Sequence, residues 1–367
     1  MQFVCAMEEL VNAVSNVQRA VAAKSNIPAL EGILLKATQS SLFLAGFDME
    51  LGITTTVPAT VSEPGEIVLS SRLFGDIVRK MPGNMVTVLC DDKGNTTIRS
   101  DVTSFTITGI SAVDYPELPS VDDGVGFTLS QLTLKSMIRQ TLFAVGQPTD
   151  PRPIYSGTKF ELSPGQLRMV SVDGYRLAMR QEAINTEEAA EFVVPGKTLQ
   201  EVLKLLEDDE SPVSFAVGRR HVVMSIRGYA VISRLLDGEF MSYQRTIPQE
   251  ITTTVYANTR MLMNAVDRVS LVINDRMKSP LVCDFSGNEV NISCTTPLGS
   301  ASDSLSVKIE GNEEKMGFNS RFMLDALKNS ETDEIRIELN GALSPMKILP
   351  AEGDDFLFLV LPVRLKK

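Results

Sequence analysis

Apolar positions along this chain alternate between two rhythms. Short runs such as FVCA from Phe3, IVLS from Ile67 and FVVP from Phe192 suit a half-buried strand, and each leads into a stretch with helical spacing. In SRLFGDIVRK, Phe74, Ile77 and Val78 share one helical face, while Arg72, Asp76 and Arg79 share the other. Ser71, Gly196 and Ser320 stand where a helix N-cap or turn is expected. Past the helices, SSLFLAGFDMELGITTTV, QLRMVSVDGYRLAMR and EIRIELNGALSPMKILP read as strands joined by Gly, Asp and Asn turns.

The same succession returns three times. FVCAMEELVNAV from Phe3, FTLSQLTLKSMI from Phe127 and VYANTRMLMNAV from Val255 align without gaps, at offsets of 124 and 128 residues. IVLSSRLFGDIVR from Ile67, FVVPGKTLQEVLK from Phe192 and MGFNSRFMLDALK from Met316 align at offsets of 125 and 124. The chain is therefore three copies of a unit of about 120 residues, each built of two similar halves of one helix plus several strands. The expected fold is α+β, three repeated domains of two helices packed on antiparallel sheets. Expected boundaries are 1–121, 125–247 and 250–367, with linkers at Asp114–Gly124 and Tyr243–Glu250.

Composition narrows the function. The 367 residues carry 35 Lys+Arg against 46 Asp+Glu, a net charge of −11, which argues against a broadly basic nucleic-acid-binding surface. Cys5, Cys90, Cys283 and Cys294 are scattered without a C-x-x-C pair, and His221 is the sole histidine, so no metal site is expected. The beginning of the chain lacks a signal-peptide pattern, and no apolar run is long enough to span a membrane; a cytoplasmic location is expected.

The helices change the charge picture. In the second-half helices Arg72, Lys197 and Arg321 are equivalent, as are Asp76, Glu201 and Asp325, and Arg79, Lys204 and Lys328. Any one such face could be a solvated surface laced by salt bridges. Over the windows 7–24, 71–80, 130–143, 196–205, 259–270 and 319–329, however, thirteen basic residues meet six acids. The basic residues are Arg19, Lys24, Arg72, Arg79, Lys80, Lys135, Arg139, Lys197, Lys204, Arg260, Arg268, Arg321 and Lys328. The windows sum to +7 and the rest of the chain to −18. Six helices on a common surface would attract a polyanion through phosphates, without reading bases.

Taken together, VDGYRLA (172–178), LLDGEFMSY (235–243), MGFNSRFMLDAL (316–327) and the terminal LPVRL (361–365) make the whole chain resemble the bacterial DNA sliding clamp, the beta subunit of DNA polymerase III. The resemblance implies a head-to-tail homodimer closed into a six-domain ring, with helices lining a hole that encircles duplex DNA. It implies a non-catalytic processivity factor without cofactor, opened by an ATP-dependent loader; the chain has no P-loop of its own. On this reading the basic helix residues above, without Arg19 and with Arg152 added, face DNA.

The resemblance also implies a groove that takes short apolar motifs from the replicative polymerase subunit, the loader, translesion polymerases, ligase and mismatch-repair proteins. Its lining would be Tyr155, Val172, Gly174, Tyr175, Arg176 and Leu177, then Met241, Arg245 and Thr246, then Met277, Asn319, Phe322, Leu343, Pro345, Leu359, Leu361, Pro362, Val363 and Arg364. Tyr175 stands where His is common in the family, Val172 where Thr is, Met241 where Pro is, and Tyr155 is bulkier than the usual aliphatic residue. Lys366 and Lys367 follow the usual terminal Arg-Leu. Phe105, Leu271 and Val272 match the family's dimer contact.

Two other readings compete. One is a repeat-built scaffold that binds proteins and never nucleic acid, distinguished by helix faces that do not form one basic surface. The other is an enzyme using Asp173, Tyr175 and Arg176, or Asp237 and Tyr243; Asp-Gly pairs at both places read more simply as turns.

Overall fold

A computed structural model describes residues 1–147, 149, 151–273 and 279–365. Six helices are present among them: α1 (Met7–Val17), α2 (Ser71–Lys80), α3 (Gln131–Leu142), α4 (Gly196–Leu205), α5 (Thr259–Ser270) and α6 (Ser320–Lys328). The first repeat supplies β1 (Gln2–Ala6), β2 (Gly32–Thr38), β3 (Ser41–Phe47), β4 (Leu51–Pro58), β5 (Thr60–Glu63), β6 (Gly65–Ser70), β7 (Met85–Cys90), β8 (Asn95–Ser100) and β9 (Thr103–Thr108). The second supplies β10 (Val125–Ser130), β11 (Gly157–Ser163), β12 (Gln166–Val172), β13 (Arg176–Ala183), β14 (Ala190–Pro195), β15 (Pro212–Val217), β16 (His221–Ile226) and β17 (Tyr229–Arg234). The third supplies β18 (Thr253–Asn258), β19 (Leu281–Ser286), β20 (Glu289–Thr296), β21 (Gly299–Ser306), β22 (Lys308–Gly311), β23 (Glu314–Phe318), β24 (Glu334–Leu339), β25 (Met346–Pro350) and β26 (Phe356–Val360).

Every helix follows directly on a short strand, as the rhythm predicts. The apolar faces are the buried ones: α2 buries Phe74, Ile77 and Val78, and α5 buries Leu262, Ala265, Val266 and Val269. The expected caps fall one residue late. Ser71, Gly196 and Ser320 are the first helical residues, and the Asn319 side chain accepts from the backbone N–H of Arg321 and Phe322. Asn258 caps α5 in the same way, accepting from Met261. The first helix is also shorter than expected, because the chain tightens into a 3-10 turn at Gln18–Ala20 and leaves Lys24 beyond it.

Strands are exchanged between the halves. The strand that opens a repeat does not pair with the strands after its own helix. It joins those after the second helix, giving β1-β7-β8-β9, β10-β15-β16-β17 and β18-β24-β25-β26. The strand before the second helix closes the other group, giving β6-β2-β3-β4, β14-β11-β12-β13 and β23-β19-β20-β21. All pairs are antiparallel. By compactness the chain divides into two units, Met1–Thr133 with Lys197–Leu235, and Leu134–Gly196 with Leu236–Lys367. In the first unit β4 pairs with β17 to make an eight-stranded sheet, and in the second β13 pairs with β26 to make a nine-stranded one. β9 and β21 end the two remaining sheets as open edges.

The segments expected as linkers are anchored by buried tyrosines. Tyr115 donates from its hydroxyl to the Ala45 carbonyl at 3.3 Å, and Tyr243 donates to Glu161 Oε2 at 2.6 Å. Each aromatic fills an apolar cluster, Tyr115 with Leu30, Phe47 and Val68, and Tyr243 with Tyr155, Val172 and Leu177.

Candidate functional site

In the second unit, the β12–β13 hairpin and the last strand bring together much of the lining assigned from sequence. Val172 pairs with Leu177 across the turn Asp173-Gly174-Tyr175, where Gly174 has a φ of 85°, a conformation in which glycine avoids a Cβ clash. Asp173 Oδ1 accepts from the backbone N–H of Tyr175 and Arg176, each at 3.0 Å, and Oδ2 accepts from Arg176 Nε at 2.8 Å. The VDGYRLA motif is thus a self-locked turn. β26 runs beside it, with Leu359 opposite Leu177, and the Leu361 N–H donates to the Tyr175 carbonyl at 3.0 Å. The tail then crosses to β23, where the Val363 N–H donates to the Gly317 carbonyl at 2.8 Å.

The sequence-assigned lining divides into floor and rim. Tyr155, Val172, Leu177 and Leu359 are buried in one cluster, against which Met241 packs. Tyr175 is 66% exposed, Leu343 71%, Leu361 42% and Val363 37%. Phe322, Pro345 and Pro362 are half-buried, while Asn319, Arg245, Thr246 and Arg364 are exposed. Asn319 is occupied in capping α6, and the Thr246 hydroxyl donates to the Tyr243 carbonyl at 2.6 Å. Met277, Lys366 and Lys367 lie outside the described residues.

Aromatic and cationic groups shape this surface. Tyr175 stacks on Phe322 with ring centroids 6.1 Å apart, and the Arg176 guanidinium lies 4.6 Å from the centre of the Phe322 ring. Arg176 Nη1 also donates to Asp325 Oδ2 at 2.6 Å. Arg152, assigned from sequence to the DNA-facing set, lies 4.3 Å over the Tyr155 ring. Tyr155 in turn meets Phe240 edge-on.

A polar network that the sequence reading missed holds the Met241–Thr246 segment. Glu161 accepts from Tyr243 and pairs with Lys159 at 2.8 Å and with Arg168 at 3.4 Å. Burial opposes the Glu161 charge, but hydrogen bonds from Lys159 and Tyr243 and the charges of Lys159 and Arg168 hold its carboxyl below the usual range. Burial, joined by the Glu161 hydrogen bond, pushes the Tyr243 phenol up. The available signal was a tyrosine in each expected linker, Tyr115 and Tyr243.

The helix faces are basic, though less so than the windows suggested. With α1 ending at Val17, Arg19 and Lys24 drop out and α1 keeps only the acids Glu8 and Glu9. The six helices then hold eleven basic and six acidic residues, a net of +5 within a chain of −11. Some cations are paired: Arg79 with Asp76 at 2.9 Å, Lys204 with Glu201 at 2.7 Å, Lys197 with Asp48 at 2.5 Å, Arg268 with Asp303 at 2.6 Å and Arg139 with Glu331 at 3.9 Å. Lys135 is half-buried and also engaged. Among the described residues Arg72, Lys80, Arg260, Arg321 and Lys328 are exposed without an ion-pair partner. The salt-bridge-laced surface therefore accounts for part of these faces only.

Family models for the DNA polymerase III beta subunit match the chain three times in succession, its N-terminal domain at residues 1–119, its central domain at 128–242 and its C-terminal domain at 244–364. The chain belongs to the DNA polymerase III beta-subunit family. It is 32% identical to the Beta sliding clamp of Bacillus subtilis over 99% of this chain and 100% of the relative, and 31% identical to that of Halalkalibacterium halodurans over the same shares. Its fold superposes on the crystal structure of the B. subtilis DNA polymerase sliding clamp with a TM-score of 0.97 at 31% identity, covering all of both chains. It matches a Pseudomonas aeruginosa DNA polymerase III subunit beta bound to griselimycin with a TM-score of 0.94 at 26% identity, again over all of both chains. The three-domain clamp fold and the non-catalytic clamp role stand on this membership. The enzyme alternative has no support: Asp173 is spent on its own turn and on Arg176.

Proposed function

We propose that two copies of this chain close head to tail into a ring around duplex DNA. The observation that carries the reading is the strand bookkeeping of the three repeats. Each internal joint pairs the outer strand of one repeat's β2-type group with the last strand of the next repeat's β1-type group, β4 with β17 and β13 with β26. Repeating that rule leaves β21 of the third repeat and β9 of the first, and a second copy supplies each with its partner. Val231 and Phe358, at the internal joints, are fully buried, whereas their equivalent Phe105 on β9 is 41% exposed. Leu271 and Val272 flank the other edge: the Thr296 hydroxyl, at the end of β20 and paired with Gly299 of β21, donates to the Val272 carbonyl at 3.1 Å.

In this reading the domains run 1–121, 125–247 and 250–367, the helix cations meet phosphates and the ring slides without reading sequence. The groove takes short apolar segments of the replicative polymerase subunit, the ATP-dependent loader, translesion polymerases, ligase and mismatch-repair proteins. Met241 and the exposed Leu343 and Leu361 supply adaptable apolar area for several partners. Among the described residues no helix is long and apolar enough to cross a membrane. A clamp at work on replicating bacterial DNA acts in the cytoplasm. Negative-stain electron microscopy of the purified protein tests the assembly: six-lobed rings with a duplex-sized hole are expected, and crescents that persist at micromolar concentration would refute it. Retention on circular but not linear DNA separates the clamp from the protein-only scaffold.

A further inference from the structure

The second helix of every repeat carries an acid followed three residues later by a cation: Asp76 and Arg79, Glu201 and Lys204, Asp325 and Lys328. In α2 and α4 the two pair, at 2.9 and 2.7 Å. In α6 they do not. Asp325 Oδ2 is taken instead by Arg176 Nη1 at 2.6 Å, and Lys328 is left exposed without an ion-pair partner among the described residues. Arg176 belongs to the groove: it follows Tyr175, bonds Asp173 at 2.8 Å and covers Phe322.

We propose that Arg176 links groove occupancy to the charge that α6 presents to DNA. With the groove empty, Arg176 holds Asp325 and Lys328 is free to meet a phosphate. A partner segment that offers a carboxylate to Arg176 draws the guanidinium off Asp325. Asp325 then pairs with Lys328, as its equivalents do in α2 and α4, and the helix loses one available cation. The Arg176 side chain is 10% exposed and its Asp325 partner 29%, so neither group tolerates isolation and each must exchange one partner for another. The link is reciprocal: a phosphate at Lys328 favours Asp325 staying with Arg176 and so disfavours the acidic segment. The inference rests on the reading that α6 faces duplex DNA.

The test is the salt dependence of affinity for a short fluorescent duplex, measured by anisotropy on the full-length protein between roughly 50 and 200 mM salt. Lys328→Gln should reduce the log–log slope by about 0.9, the value of one phosphate contact, so that relative affinity shifts about 3.5-fold across that range. Arg176→Gln should reproduce that reduction, and Arg176→Gln with Asp325→Asn should restore the slope. A synthetic leucine- and phenylalanine-rich hexapeptide with a single aspartate should lower the slope of the unaltered protein, and its asparagine form should not. If Lys328→Gln lowers the slope while Arg176→Gln does not, the link is refuted and the DNA reading survives. If Lys328→Gln itself has no effect, α6 does not meet DNA and both fall.

Discussion

Replacing Phe105 by alanine should weaken the dimer roughly a thousand-fold while leaving the fold of one copy in place. Phe105 sits on the open edge strand β9, opposite Ile98 on β8, and is 41% exposed. Its equivalents Val231 and Phe358 have no exposed surface because a neighbouring repeat covers them. A Phe side chain offers roughly 200 Å² of surface, so covering the exposed share buries about 80 Å². At about 25 cal/mol per Å² that is about 2 kcal/mol at each joint, and the closed ring has two such joints, so about 4 kcal/mol converts to roughly a thousand-fold in dissociation constant. Sedimentation velocity over a concentration series reads the constant, and thermal unfolding of the dilute protein checks that the single copy is intact. A dimer constant unchanged by Phe105→Ala would refute the equivalence of the third joint with the two internal ones. The share of the ring already buried in one copy, about 120 Å², predicts a loss of about 3 kcal/mol in single-copy stability, and a fall well beyond that would instead make Phe105 an ordinary core residue.

The internal joints also fix the register of the proposed contact. Ser233 pairs with Leu51 and Val360 with Arg176, which by repeat equivalence sets Ile107 opposite Gly299 and Thr106 opposite Ser300. The Gly109 N–H points inward to the Gly94 carbonyl, so by alternation the Thr106 N–H faces the open edge and that of Phe105 faces β8. Thr106→Pro should therefore weaken the dimer with little loss of single-copy stability, and Phe105→Pro should unfold the edge; sedimentation and circular dichroism distinguish them, and equal effects would break the register. Reversing Arg72, Lys197 and Arg321 to Glu should shorten retention on DNA at low salt while the protein stays dimeric, and undiminished retention would remove those residues from the DNA surface. Glu161→Gln should cost about 1–3 kcal/mol at neutral pH by leaving Lys159 and Arg168 without their shared carboxylate. Because the folded carboxyl lies below its ordinary value, the native advantage is present above that ordinary value and is lost as pH falls through the folded one. Urea unfolding at neutral and at acid pH should thus show the two proteins converging on the acid side, and a gap constant with pH would refute the role of the charge.

The repeats were legible because strand, helix start and amphipathic helix recur at nearly constant spacing, and the six helices appear where that succession put them. What was not legible has a common physical origin. Period-two alternation says that a strand has one buried face, yet not which neighbour it pairs with, so the exchange that seats β1 beside β7 and β6 beside β2 is invisible in it. The apolar rhythm runs on through Val17, Ala20 and Val21, so it carries no mark of the point after Val17 where the chain tightens and the helix stops short of Lys24. The groove's turn could be read from Asp173-Gly174, but the contact of Arg176 with Asp325 spans 149 residues and has no local signature. Repetition converts this ignorance into inference once two joints are known. Three copies of one rule, with two joints satisfied inside the chain, leave one strand of each kind unpaired, and the parity of the outward N–H groups on β9 and β21 agrees with the register those joints dictate: Gly109 and Val307 both point inward, so the even-numbered residues of both strands face out and meet even to even.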